Sequence, residues 1–264
     1  MFNIIIPNYN NGPWLDRLFE SLYKQTYDGF IILFVDDMST DDSIEIARRW
    51  EDKFIEGRSH LGVFSTGRKA YNGGTRNIAY GYMQQYKPNP YTLFIDSDDC
   101  LVDEECLEAI SRTIEQNNYP DLVRLSYYFC CNQDERLVDL SDQDTVEKIV
   151  HDINVACWTK CIKTDKLVRF PENTLMEDVV QHIAQLDVIN SVATCRKPII
   201  KWNRNNSNSC SNNTELQNGK WRSSLYRYYA DLLDLKVNKQ ECQAELEKRR
   251  AQALDNIRND RYQQ

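Results

Sequence analysis

Apolar residues come in short blocks separated by polar breaks, and the blocks are of two alternating kinds. Ile4-Ile5-Ile6, residues 30–35 and residues 91–95 are continuous apolar runs, the pattern of strands buried on both faces. Between them, Trp14, Leu15, Leu18, Phe19 and Leu22 recur at helical spacing, as do Ile44, Ile46, Ala47 and Trp50, and later Ile78, Ala79 and Tyr82. Pro13 suits a first helical position after the Asn10-Asn11-Gly12 turn, and the polar stretch 36–43 can cap the second helix. Residues 57–74 are polar and Gly-bearing and are expected to form a loop, with Thr75 capping the helix that follows. A helix through Leu107, Ile110 and Ile114 completes a β-α-β-α-loop-α-β-α order over the first 115 residues. Strands alternating with helices predict a parallel sheet wound by crossovers.

The second half is less regular. Residues 122–130 and 155–162 are expected as strands, 177–186 as a helix, and 192–202 as a strand broken at Lys197-Pro198. Residues 203–214 are rich in Asn and Ser and predict a loop, and 220–261 are helical in pattern. No internal repeat is present, and no linker demands two independent domains.

Composition narrows the class. With 264 residues, 41% hydrophobic and 27% charged, the chain can bury a large core and is not a disordered sequence. No run approaches the roughly 20 apolar residues of a membrane-spanning helix, and the start of the chain has no basic region of a signal peptide. Nine cysteines at irregular spacing, with no CxxC pair, are expected to be free thiols in a reducing, cytoplasmic setting. His60, His151 and His182 make no metal-ligand spacing, which argues against a zinc enzyme. The net charge of −8 is uneven: residues 201–264 hold 12 Lys/Arg against 8 Asp/Glu, and the first 200 residues hold 20 against 32. A basic tail on an acidic body hints weakly at an anionic partner.

The chemistry gathers where strands end. Ligands of open parallel sheets bind at the carboxyl ends of strands. Three polar segments are delivered there: Pro7-Asn8-Tyr9-Asn10, Asp36-Asp37, and Asp96-Ser97-Asp98-Asp99. Crowded carboxylates repel one another and need a cation or donors to stay ionised. Asp96 and Asp98 are therefore candidates to hold Mg²⁺ or Mn²⁺, hard cations that take carboxylate oxygens and bridge to phosphates. A solvated turn with helix-capping Asp residues is the alternative. The chain has neither a G-x-G-x-x-G after the first strand nor a G-x-x-x-x-G-K-[ST], so dinucleotide oxidoreductases and P-loop NTPases lose their main support. Glu177 and Asp178, at the start of a predicted helix, are either a base pair for catalysis or partners of the helix dipole.

Taken in order, these segments resemble family-2 glycosyltransferases of the GT-A fold. Ile5-Ile6-Pro7-Asn8-Tyr9-Asn10 resembles their opening IIPxYN, and Phe34-Val35-Asp36-Asp37-Met38-Ser39-Thr40-Asp41 their VDDxSxD. Gly74-Thr75-Arg76-Asn77-Ile78-Ala79 resembles GxxxARNxG, with Ala79 or Tyr80 where the family's last Gly stands. Phe94-Ile95-Asp96-Ser97-Asp98-Asp99 matches the D-x-D segment. Ala156-Cys157-Trp158-Thr159-Lys160 is similar to xWxKL, and Phe170-Pro171-Glu172 with Met176-Glu177-Asp178 to FPxxxxxED. Trp202-Asn203-Arg204-Asn205-Asn206-Ser207 is similar to YRxxxNS. The resemblance spans residues 3–210. It implies an α/β GT-A fold, a mostly parallel central sheet wound with helices, plus a helical C-terminal extension. It divides the chain into a catalytic domain at 1–214, with a nucleotide-binding half (1–115) and an acceptor half (116–214), and an extension at 215–264.

The same resemblance implies an inverting transfer of one sugar from a nucleotide diphosphate, usually UDP, to an acceptor hydroxyl. A divalent cation (Mn²⁺ or Mg²⁺) on Asp98, with Asp96 nearby, would neutralise the leaving diphosphate. Pro7 and Tyr9 would line the nucleobase pocket, and Asp37 would accept from the uracil N–H with Asp36 beside it. Arg76 would face the diphosphate or hold the D-x-D loop, and Arg204 would reach the diphosphate from the 203–214 loop. Asp178 would be the base, Glu177 would position it or the acceptor, and Trp158 and Lys160 would border the acceptor. His182 is expected at the surface. No Q-x-x-R-W motif is present, which disfavours a processive polysaccharide synthase.

The acceptor is open at this level. Lys220-Trp221-Arg222, Tyr226-Arg227-Tyr228-Tyr229 and Lys248-Arg249-Arg250 interleave aromatic and basic residues. They would serve a saccharide or lipid-linked acceptor at the inner membrane face, a DNA base as acceptor, or a homo-oligomer through the last helix. A helix packed on the catalytic domain through Trp221, Leu225, Tyr228, Leu232 and Leu235 is the plain alternative, and a non-catalytic nucleotide- or nucleic-acid-binding module of the same fold is the rival function.

Overall fold

The structure is a computed structural model that describes residues 1–85, 87–152, 154–172, 174, 176–207, 209 and 221–261, with backbone alone at 221–223, 260 and 261. Strand β1 (Phe2–Asn8) is buried along its whole length. It pairs in parallel with β2 (Ile31–Asp36) on one side and with β4 (Tyr91–Phe94) on the other, and β2 pairs in parallel with β3 (His60–Ser65). The order β3-β2-β1-β4 reverses direction at β1, so a crevice opens at the carboxyl ends of β1 and β4. The registers Ile4↔Ile32 and Ile4↔Leu93 put the apolar triplets side by side, which is why each run is apolar on both faces.

The crossovers are α1 (Gly12–Tyr23), α2 (Ser43–Ile55) and α3 (Tyr71–Gln84). Leu15, Leu18, Phe19 and Leu22 of α1 and Ile46, Ala47, Trp50 and Phe54 of α2 are buried, as their spacing predicts. Two expectations fail between β2 and β4. Residues 57–74 are not a continuous loop: β3 lies within them, a sheet edge whose alternation is carried only by Leu61 and Val63. Helix α3 begins at Tyr71 rather than after Thr75, because Asp37 receives the N–H groups of Ala70 and Tyr71. Thr75 instead donates its hydroxyl to the Tyr71 carbonyl one turn back, at 2.6 Å.

Beyond β4, the two-residue strand β5 (Cys100–Leu101), helix α4 (Cys106–Gln116) and β6 (Leu122–Cys131) follow. The exposed, charged hairpin strand β7 (Asp134–Val138) and the short helix α5 (Val146–Val150) gave no periodic signal. The 155–162 segment divides into a 3₁₀ turn (Cys157–Thr159) and β8 (Lys160–Lys163). Helix α6 (Glu177–Asp187) and β9 (Val192–Asn203) complete the sheet. β8 is antiparallel to β4 and β6, β9 is parallel to β6, and β5 is antiparallel to β9, so parallel pairing dominates the first four strands and mixed pairing the rest. Pro198 does not end β9; the register shifts between Leu125 and Tyr127 let the strand absorb it.

Two helices, α7 (Trp221–Asp234) and α8 (Gln240–Arg261), form the C-terminal extension. Leu225, Tyr228 and Leu232 of α7 and Cys242, Leu246, Ala253 and Ile257 of α8 join a second core with Val180, Ile183 and Leu186 of α6, beneath β6 and β8. Leu235 packs at its margin, and the side chain expected at Trp221 lies outside the described residues. No helix among the described residues is long and apolar enough to cross a membrane. The eight described cysteines are free thiols; Cys210 lies outside the described residues.

Candidate active site

At the ends of β1 and β2 the two predicted carboxylates do different things. Asp36 is buried and fixes its own turn: Asn8 Nδ2 donates to it at 2.8 Å, and the hydroxyl and N–H of Ser39 donate at 2.5 and 2.8 Å. Met38 takes the left-handed conformation inside that turn, with φ +64°. Asp37 is the tertiary cap of α3. Its Oδ1 accepts from Ala70 N at 2.6 Å and from the Thr66 hydroxyl at 3.2 Å, and its Oδ2 accepts from Tyr71 N at 2.9 Å. The Lys69 ammonium lies 3.0 Å from the same Oδ2 and 3.1 Å from the Asp37 carbonyl. It also sits over the Tyr9 ring, 2.9 Å from the centroid. Tyr9 is 46% exposed and stands beside a buried carboxylate, while Pro7 is buried within β1.

The second group forms around Arg76, one turn into α3 and 2% exposed. Its guanidinium donates to Asp96 Oδ1 at 2.8 Å and to Glu177 Oε1 at 2.9 Å, and lies 3.6 Å from Asp178 Oδ1. The planar guanidinium fork presents separate N–H groups to the two carboxylates at once. Arg76 thus joins the end of β4 to the start of α6, bringing together residues 20 and about 100 positions apart. The close approach needs Gly73, where a Cβ would stand 2.2 Å from the Pro171 carbonyl oxygen.

The carboxylates here are reluctant to ionise. Burial pushes Asp98 up to about 6, and the neighbouring Asp96 charge adds to it. Burial also raises the fully buried Asp99, again with Asp98 and Asp96 adding. Glu177 and Asp178 are both raised, first by burial; Arg76 pulls the other way for each. Asp178 Oδ1 is buried without a hydrogen-bond donor among the described residues. Asp98 accepts from Asn206 Nδ2 at 2.8 Å, and its backbone carbonyl from Arg17 at 2.7 Å. Asn206 donates also to Asn11 at 2.9 Å, tying the 203–207 segment to the start of α1.

The remaining predicted residues sit elsewhere. Trp158 is 3% exposed and packs on Tyr127 and Trp202, at ring distances of 4.9 and 5.5 Å. Lys160 is fully buried, and its ammonium donates to the Val155 and Ala156 carbonyls at 2.8 and 2.9 Å. Burial, with Arg124 nearby, lowers Lys160 to about 7. Both side chains brace the 155–160 turn rather than present an open acceptor wall. The Arg204 guanidinium stacks over Trp202, 4.9 Å from the ring centroid. His182 is not at the surface: it is fully buried with Nε2 3.1 Å from the Ile149 carbonyl, and burial lowers its pKa well below the usual value.

Lys69, Arg17 and Asn206 complete the site without having been assigned a role from sequence. Asn206 did have a signal, its place in the Asn-Ser ending of the last motif. Lys69 and Arg17 had none, since their partners come from other segments.

Residues 3–160 match the family model described as Glycosyl transferase family 2. The processive diacylglycerol β-glycosyltransferase of Mycoplasma pneumoniae is 31% identical over 126 residues, 45% of this chain and 33% of that protein. The glycosyltransferase GlyG of Streptococcus pneumoniae is 25% identical over 179 residues, 64% of this chain and 56% of that protein. This chain therefore spans from a third to just over half the length of these curated relatives. Among solved structures, residues 1–349 of TarS from Staphylococcus aureus in complex with UDP-GlcNAc superpose with a TM-score of 0.72 at 20% identity, over 93% of this chain and 70% of that one. A mannosyltransferase from Pyrobaculum calidifontis in complex with GDP-Man and Mn²⁺ superposes with a TM-score of 0.65 at 13% identity, over 94% of this chain and 68% of that one. The fold is GT-A, and the chain belongs to glycosyltransferase family 2.

Proposed function

We propose that this glycosyltransferase transfers a single sugar from a UDP-sugar, with inversion, to a hydroxyl of a saccharide or lipid-linked glycan. The observation that carries this reading is Asp178, whose buried Oδ1 stands at the start of α6, 3.6 Å from the Arg76 guanidinium. Inversion requires attack on the face opposite the leaving diphosphate and a group to take the acceptor proton. A carboxylate whose proton affinity is raised by burial suits that task. Arg76 lies 3.6 Å from Asp178, donates to its neighbour Glu177 and also fixes Asp96 on the donor side.

Asp96 and Asp98 fit a divalent cation by the chemistry of their donor set: two carboxylates on one short turn, with the Asp98 carboxyl raised by burial and by Asp96. No group of three His, Cys, Asp or Glu among the described residues could enclose an ion, so this pair would share it with the donor's diphosphate. When bound, the cation would supply Lewis-acid stabilisation to the leaving diphosphate. The GDP-Man and Mn²⁺ in complex with the mannosyltransferase, and the UDP-GlcNAc in complex with TarS, support a metal-assisted nucleotide-sugar donor. The tail does not favour a DNA acceptor. Lys248 and Arg249 pair with the buried Glu245, and Arg250 donates to the Leu232, Leu233 and Leu235 carbonyls that end α7.

The test is Asp178→Asn. Transfer from UDP-sugars in the presence of Mn²⁺ is expected to fall by at least about 100-fold, the lower range for loss of a positioned base. UDP-induced thermal stabilisation is expected to persist. Turnover near the wild-type rate in this variant rejects Asp178 as the base. An absence of stabilisation of the wild-type protein by any nucleoside diphosphate, with or without Mn²⁺, favours the non-catalytic module.

A further inference from the structure

We propose that Lys69 is a resident occupant of the nucleoside site, and that the donor's base must displace it from both of its partners. This rests on the nucleotide-donor reading above. An exposed aromatic face and a carboxylate acceptor at the ends of parallel strands are what a nucleoside uses: one to stack on, the other to take a ring N–H. In this structure both are taken by one side chain. The ammonium lies 2.9 Å from the Tyr9 ring centroid, so a flat base cannot share that face. It also lies 3.0 Å from Asp37 Oδ2.

The acceptor count on Asp37 makes the competition strict. Two carboxylate oxygens offer about four acceptor positions. Ala70 N, the Thr66 hydroxyl and Tyr71 N take three, and they hold the start of α3. Lys69 adds an ion pair to Oδ2 and donates to the Asp37 carbonyl, and it is the one partner of the set on a long, exposed side chain rather than a backbone or short hydroxyl group. A base N–H can therefore gain Asp37 at little cost to the fold only by exchanging with Lys69. The same movement uncovers the Tyr9 face. The free protein gains from the occupant, since an unoccupied buried carboxylate position and an unstacked ring would otherwise face water.

The experiment uses uridine and guanosine, which lack phosphate, so that any attraction between Lys69 and a diphosphate is absent. Their binding to the wild-type chain and to Lys69→Ala is measured by calorimetry, with UDP as a reference ligand. Removing the occupant is expected to tighten nucleoside binding roughly fivefold, the scale of one exposed cation–π contact plus one partly exposed ion pair. In parallel, acylation of the Lys69 amine by a water-soluble ester is followed by mass spectrometry, and nucleoside is expected to accelerate it. Equal or weaker nucleoside binding by Lys69→Ala overturns the proposal, as does slower acylation of Lys69 with nucleoside bound. Failure of UDP and both nucleosides to bind either protein rejects the nucleotide-donor reading itself, whereas UDP binding with an unchanged nucleoside affinity in the variant rejects only the role of Lys69.

Discussion

Asp98 shows how single residues here trade stability for chemistry. Its folded pKa of about 6 lies above the ordinary 3.8, so the folded state binds the extra proton between those values. Stability therefore falls as pH rises from 3.8 to about 6, and the full cost is present at neutral pH. Asp98→Asn keeps a side chain that can meet Asn206 and removes the charge. In chelator at pH 7 it is expected to be more stable than wild type by about 2–3 kcal/mol, from roughly two pKa units at 1.36 kcal/mol each. The advantage should vanish toward pH 4, and stabilisation by Mn²⁺ with UDP should be lost. Denaturant melts at several pH values, with and without Mn²⁺ and UDP, read all three. A variant no more stable than wild type at pH 7 would mean that Asp98 carries no charge penalty. Residue identities of this kind were legible: the D-x-D spacing, the strand ends and the Glu-Asp pair all pointed to this crevice. Their partners were not. Nothing local says that Asp36 will be spent on Ser39, that Asp37 will cap a helix 33 residues on, or that Lys160 and His182 will be buried, because each outcome is decided by a segment distant in sequence.

At the scale of elements, α3 is placed by absences of side chain as much as by contacts. Gly73 lets its first turn approach the 170–171 backbone, where Asn77 both donates to the Phe170 carbonyl at 2.9 Å and accepts from its N–H at 2.9 Å. A methyl at Gly73 meets a backbone oxygen that has no rotamer with which to yield, so α3 must shift and carry Arg76 with it. Gly81, in the same helix, has nothing within 4 Å of where a methyl would stand. Gly73→Ala is thus expected to cost about 1–3 kcal/mol by overpacking, whereas Gly81→Ala should gain about 0.5–1 kcal/mol from helix propensity. Parallel thermal melts test the pair, and transfer activity should fall with Gly73→Ala alone. A stabilising Gly73→Ala would contradict the packing. The strands β1, β2 and β4 and helices α1, α2, α4 and α6 could be placed from periodicity because each buries a continuous or regular apolar set. β3, β7 and the true start of α3 could not, since edge strands need only one good face and a cap supplied by Asp37 leaves no mark beside the helix it starts.

For the molecule as a whole, the question is whether the C-terminal helices are an appendage or part of the catalytic fold. The chain's basic triplet suggested an interaction surface, yet Arg249 and Arg250 make internal contacts. Arg250 closes the carbonyl end of α7, and Arg249 neutralises Glu245, which is 1% exposed. Leu232 is fully buried in the core that backs α6, the helix whose first residues are Glu177 and Asp178. Its neighbour Leu233 is 51% exposed. If α7 supports α6, Leu232→Ala creates a cavity behind the candidate base and should cost about 2–5 kcal/mol. That corresponds to a melting temperature lower by roughly 5–15 °C for a chain of this size. Leu233→Ala should stay within about 0.5 kcal/mol of wild type, as surface substitutions do. Because one cooperative unit is being weakened, the Leu232→Ala protein should lose its UDP response and its secondary structure at the same temperature. A melt in which the variant's helical signal falls early while the UDP response survives to the wild-type temperature would instead make α7 and α8 a separately unfolding attachment, and α6 would then be held by the sheet, α3 and α5.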